Sequence, residues 1–210
     1  EARAIATSFP DDPAVLAALS EAEFDAGNDA EAIAAAQQAL ALDPQQVNAY
    51  VQHGFALFRQ ADALPHGSEA RVAAFSAAVR PFVALNRIEN DHPLPLSFFH
   101  RSYVDSGLEP TQNARDGLAR SVELAPFDIG LRMALVAQRL RDGQMEEAAR
   151  VLRPIANSAH GEVLSERAGT VIARIAAGAG PDQAGQLLAL LASPVIEAPA
   201  ADPEPPATAP

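Results

Sequence analysis

The side chains able to do chemistry in this 210-residue sequence are few and scattered. It contains no cysteine and no lysine. That removes thiolate nucleophiles, thiolate metal sites, disulfides and a phosphate loop built on Gly-Lys-Ser/Thr. The histidines, at 53, 66, 92, 100 and 160, do not share a metal-ligand spacing. His92 and His100 have Pro93 and Pro95 between them, so nothing in the sequence holds them on one helix face. No His-Glu-x-x-His and no Gly-x-Ser-x-Gly occurs. Gly178-Ala179-Gly180 runs into Pro181-Asp182-Gln183 with no strand before it, which reads as a helix stop rather than a dinucleotide loop. Carboxylate pairs such as Glu21/Asp25 and Glu146/Glu147 could serve as general acid and base only if withdrawn from water. Their Ala-rich or turn-proximal helix settings predict solvated faces instead. The expectation is therefore no catalytic residue, no metal and no cofactor, and a segment that is not an enzyme.

Composition points to the elements behind these residues. Alanine makes up about a fifth of the chain, and β-branched and aromatic residues are scarce, which favours helix over strand. Twenty-seven acids against 15 basic residues, all arginine, give a net charge of −12. Such a chain repels nucleic acid and anionic membrane. The longest apolar stretch, Leu187 to Ala192, is far short of the roughly 20 residues of a membrane span. No signal peptide is recognisable, and the compartment stays open.

The productive signal is a period of about 34 residues. From Pro13 to Pro44, two amphipathic patterns flank a Gly27-Asn28-Asp29 turn. Gly27 suits a left-handed helix end, Asp29 is placed to cap the next helix, and Asp43-Pro44 stops it. Ser20, Ala32 and Ala39 sit where antiparallel helices must approach closely. With Ala32-Ile33, Ala39-Leu40 and Leu42-Asp43-Pro44, this segment resembles the tetratricopeptide repeat, although Leu16 stands where that family has a large aromatic. The resemblance implies an all-α, right-handed α-solenoid of helix–turn–helix units. The first is 13–46. A second, 47–92, has Tyr50 and Gly54 in family places, an insertion near 60–72, and Pro81 predicted to kink or split its second helix. A third spans 93–126 and a fourth 127–161, where Pro154 predicts another kink. Helices over 162–192 would cap the array, and the Pro/Ala-rich segment 193–210 is predicted to be disordered. Residues 1–12 read as the end of a preceding helix. The run from His92 to Gly161 is also similar to the C-terminal repeat region of certain bacterial proteins with a zinc-peptidase-like domain ahead of their repeats. That similarity implies an accessory or structural domain of a larger enzyme as an alternative role.

Carried over from the family, the concave face of first helices would bind a protein or peptide. Its candidate residues here are Phe24, Gln52, Phe55, Phe58, Arg59, Phe98, Arg101, Met133 and Arg141. The aromatics admit two readings, an apolar strip flanked by arginines or ordinary core. The Lys/Asn clamp by which some members hold a C-terminal carboxylate is missing, since its places carry Ala17, Glu21, Gln52, Leu94 and Phe98. Charge adds direction: residues 1–46 hold nine acids and one arginine, whereas 129–161 are mildly basic. The expected partner is thus apolar or basic, with self-association a further outcome and nucleic acid excluded.

Overall fold

The computed structural model describes residues 1–158 and 161–192; the expected disordered segment 193–210 and His160 lie outside the described residues. Among the described residues all regular structure is helical, as the composition predicts. It forms an all-α, helical-repeat architecture, and within each unit successive helices such as α2 and α3, α3 and α4, α7 and α8, and α10 and α11 pack on one another.

The chain divides into two compact units, Glu1–Leu135 and Val136–Pro210. The first contains α1 (Ala2–Ser8), α2 (Pro13–Asp25), α3 (Asp29–Leu42), α4 (Val47–Asp62), α5 (Glu69–Ala78), α6 (Arg80–Ile88), α7 (Pro93–Ser106) and α8 (Gln112–Leu124). Helix α9 (Ile129–Arg141) crosses the division. The second unit contains α10 (Met145–Ala156), α11 (Glu162–Ala176), a 3-10 turn over Pro181–Gln183 and α12 (Ala184–Ala192). There α10 buries Ala148, Leu152 and Ile155 and packs on α11, which buries Ala168 and Val171. The Ser165 hydroxyl donates to the Ala156 carbonyl at 2.7 Å, joining the end of α10 to α11.

Local chemistry sets the helix ends. The Asp12 carboxylate accepts from Ala14 N–H at 2.9 Å and Val15 N–H at 3.2 Å, and Pro13 supplies a first residue that needs no donor. Helix α2 closes at Gly27 (φ 83°), a left-handed conformation that lets Asn28 N–H donate back to the Glu23 carbonyl at 2.8 Å. Close approach of α2 and α3 follows from residue size: Ser20, Ala32, Ala36 and Ala39 are fully buried, and the Ser20 hydroxyl donates to the Ala32 carbonyl at 2.7 Å.

Three local expectations change. Asp29 does not cap α3; it is the first residue of that helix, and its carboxylate is drawn off by Arg59. The segment 60–72 is mostly helical, with only 63–68 outside α4 and α5. Pro81 does accompany a break, between α5 and α6, and sits in the first turn of α6 where its missing N–H leaves no bond unmade. Pro154 does not interrupt α10, which continues to Ala156. So close to the C-terminus the proline forfeits a single backbone bond.

Where α4 ends, its last carbonyls would be orphaned inside the unit. Arg71, at 2% exposure the largest fully buried side chain, serves them. Its Nη1 donates to the carbonyls of Asp62 at 2.7 Å and Leu64 at 2.8 Å, and its Nε to the Asp105 carbonyl of α7 at 2.8 Å. Its Nη2 pairs with the Asp62 carboxylate at 2.6 Å, and the guanidinium lies 4.9 Å from the Phe75 ring centre. Ser68 fixes where α5 starts by accepting the Arg71 N–H at 3.2 Å.

A second tie holds α1. Arg3 donates through Nε and Nη2 to the Glu23 carboxylate, the latter at 2.6 Å, and Asn28 Nδ2 adds a third hydrogen bond at 2.8 Å. These bonds, Arg3 first and Asn28 second, pull the Glu23 pKa from its ordinary 4.5 down to about 2.

Two outcomes follow. Arg71→Met should cost about 3 kcal/mol or more in urea unfolding, because buried carbonyls lose their donors, and Arg71→Lys should recover only part of it. A carboxylate with a depressed folded-state pKa stabilises the fold above its unfolded value and ceases to do so as pH falls through the folded one. Melting temperature should therefore fall as pH drops from about 4.5 toward about 2, and Glu23→Gln should flatten that dependence.

Candidate functional site

Six phenyl rings from five helices of the first unit form one connected cluster. Phe58 (α4), Phe75 (α5) and Phe82 (α6) are buried, at 3%, 1% and 0% exposure. Phe58 meets Phe75 edge-on at 5.3 Å and Phe82 at 5.8 Å between ring centres. Phe24 (α2), Phe55 (α4) and Phe98 (α7) are half-buried and form an outer row. Their centres are 5.9 Å apart for Phe24 and Phe55 and 5.2 Å for Phe55 and Phe98. The layers lock together where Phe98 stacks on Phe82 at 4.4 Å and stands edge-on to Phe58 at 4.8 Å. Spacings and tilts of this kind are those aromatic pairs prefer, so the outer rings rest on a stiff floor.

Gly54 makes the floor possible. A Cβ there would fall 2.5 Å from Cζ of Phe82, inside van der Waals contact, so the ring can lie against α4 only where no side chain stands.

Polar groups frame the row. On α4, Asn48, Gln52, Phe55 and Arg59 lie on one stripe by helical spacing. Gln52 Nε2 donates to Asn48 Oδ1 at 3.3 Å, and Asn48 Nδ2 to the Glu21 carboxylate of α2 at 3.0 Å. At the other end, Arg59 lies 3.8 Å from the Phe24 ring centre, donates to the Phe24 carbonyl at 2.6 Å and to Asp29 at 2.7 Å through Nε. Arg101 lies 5.3 Å from the Phe98 ring centre and donates to Asp105 at 2.6 Å.

The structure thus brings Phe24, Phe55, Phe98, Arg59 and Arg101 together on one face. It withdraws two other candidates from that face: Phe58 belongs to the core, and Gln52 is buried at 6% exposure with its Oε1 unpaired. Three residues on from Phe55, Phe58 meets Phe75 of α5, Phe82 of α6 and Phe98 of α7, whereas Phe55 is the one that meets Phe24 of α2. The ring contacts include neither of the α9 candidates; Met133 is half-buried and Arg141 exposed. Sequence reasoning missed Arg71, which it left inside the 60–72 insertion, and Phe75, just beyond it. A Ser68-Glu69 helix start was the available signal. It named Arg59 as a groove residue without its partner Asp29, because a pair thirty residues apart leaves no local trace.

Among the described residues no three His, Asp or Glu side chains converge on a metal-sized space, and no helix is long and apolar enough to cross a membrane. His92 Nδ1 caps α7 by accepting from Leu94 N–H at 3.2 Å, His100 is buried, and half-burial lowers the pKa of His53 from its ordinary 6.5. Compared with known proteins, the chain matches no family model and no curated relative.

The two ring layers should respond differently to truncation. Phe58→Ala should cost about 3–5 kcal/mol and Gly54→Ala about 1–3 kcal/mol through overpacking, whereas Phe24→Ala should cost clearly less than Phe58→Ala. Chemical denaturation of the three variants checks the order.

Proposed function

We propose that this chain is a non-catalytic interaction scaffold of tetratricopeptide type that holds a protein or peptide segment across α2, α4 and α7. The observation that carries the reading is the outer row Phe24–Phe55–Phe98. It offers contiguous apolar rings half open to water, set on a rigid buried layer. Such rings lose little side-chain freedom on binding, and aromatic residues dominate binding energy where a partner excludes water from them. Side chains from three successive first helices converge there, the surface on which arrays of this type dock extended or helical segments. The tetratricopeptide assignment draws support from the buried small residues Ser20, Ala32 and Ala39. It also draws on the left-handed glycine ends of α2 and α7 at Gly27 and Gly107, and on the close approach of Phe82 to Gly54.

The test is selection of random 12-residue peptides on the immobilised chain, followed by affinity measurement against Phe24→Ala/Phe55→Ala. Selected peptides should lose about tenfold or more in affinity, roughly what truncating an aromatic anchor costs, while circular dichroism and melting stay near those of the parent. Failure to enrich any peptide beyond the level retained by the double variant sinks the proposal. Collapse of the melting temperature in that variant would instead assign the outer rings to the core.

A further inference from the structure

The outer row is flanked by charges of both signs, but they are not equally free. Arg59 is held by Asp29 and by the Phe24 carbonyl, and Arg101 is held by Asp105 one helical turn away. Both guanidinium groups lie over rings of the cluster, which fixes them further. The carboxylates are arranged otherwise. Glu21 and Asp25 stand one turn apart on the exposed edge of α2, on either side of Phe24 in sequence. Glu21 accepts a single hydrogen bond from Asn48, and among the described residues neither carboxylate pairs with a cation. Two like charges at this spacing repel each other, so the free face carries an uncompensated negative patch.

We infer that the segment docked on the phenyl row is basic. It places an apolar side chain on Phe24, Phe55 and Phe98 and a lysine or arginine against Glu21 and Asp25. This rests on the docking role proposed above and adds the charge of the occupant. An acidic segment meets the opposite situation: it gains no free cation, must compete with Asp29 and Asp105 for Arg59 and Arg101, and approaches two bare carboxylates. A cation beside Glu21 and Asp25 relieves their repulsion at no cost to an existing pair. The net charge of −12, with nine acids and one arginine in the first 46 residues, also steers a basic segment toward this end of the chain.

The experiment uses the full chain and the peptide selection described above, with two added measurements. Selected peptides are scored for Lys/Arg against Asp/Glu, and the best binder is titrated against the parent and Glu21→Gln/Asp25→Asn at low and moderate ionic strength. Glutamine keeps the acceptor that Asn48 uses, and both side chains are exposed, so the variant retains the fold; Glu21→Gln alone provides a second, milder version. The inference predicts enrichment of apolar residues flanked by Lys or Arg. It also predicts roughly tenfold weaker binding to the double variant, the scale of two partly exposed ion pairs, and a shallower salt dependence. Enriched peptides that are neutral or acidic, lose affinity in Phe24→Ala/Phe55→Ala and bind Glu21→Gln/Asp25→Asn as tightly as the parent would overturn the charge inference and leave the docking role standing. No enrichment at all would overturn both.

Discussion

The carbonyl groups that end α4 have to find donors away from water, and the buried guanidinium of Arg71 supplies them. Much of the first unit depends on that arrangement. Arg71 reaches back to Asp62 and Leu64, lies against the ring of Phe75, and reaches across to the Asp105 carbonyl of α7. It therefore sets where α4 may stop, where α5 must begin and how α7 lies against both. The same Asp105 whose carbonyl accepts from Arg71 holds Arg101 with its carboxylate. One residue of α7 thus connects the buried guanidinium of Arg71 to the charged edge of the phenyl row. Only a planar group with five donors could serve carbonyls in several directions at once, which is why arginine occupies this place.

The phenyl cluster adjoins this guanidinium through the ring of Phe75. Its inner layer fills the space among α4, α5 and α6, and its outer row is what remains visible when that space is full. The absence of a side chain at Gly54 brings Phe82 close enough to stack on Phe98 and hence to support the row from beneath. Stiffness in the floor and partial exposure of the row come from one packing solution.

Charge is distributed by the same logic of what is already engaged. Arginines near the row are neutralised within the chain, and the carboxylates of Glu21 and Asp25 are not. The formal composition is acidic, but composition does not say which charges a partner would meet. Here the ion pairs decide it, because a paired arginine presents a much weaker field than its formal charge suggests.

Much of the helical-repeat framework was legible in the residues themselves. Gly27, Asp43-Pro44 and Pro81 act through their own backbone geometry, so their effect on helix ends does not need the rest of the fold. Ser20, Ala32 and Ala39 announced close helix approach by size alone. The aromatic set was legible as a group but not as two layers. Phe55 and Phe58 belong to one helix and differ only in which neighbours they meet, and only the packed structure assigns one to the row and the other to the core. Arg71, Asp29 with Arg59, and Gly54 with Phe82 escaped for the same reason. Each acts between elements 9 to 34 residues apart, where the deciding quantity is a distance in space. The sequence by itself determined helix, turn and net charge, which are local or additive properties. Tertiary structure alone decided which rings stay exposed, which charges are cancelled and which carbonyls need a guanidinium, because burial and pairing exist only between parts of the chain brought together.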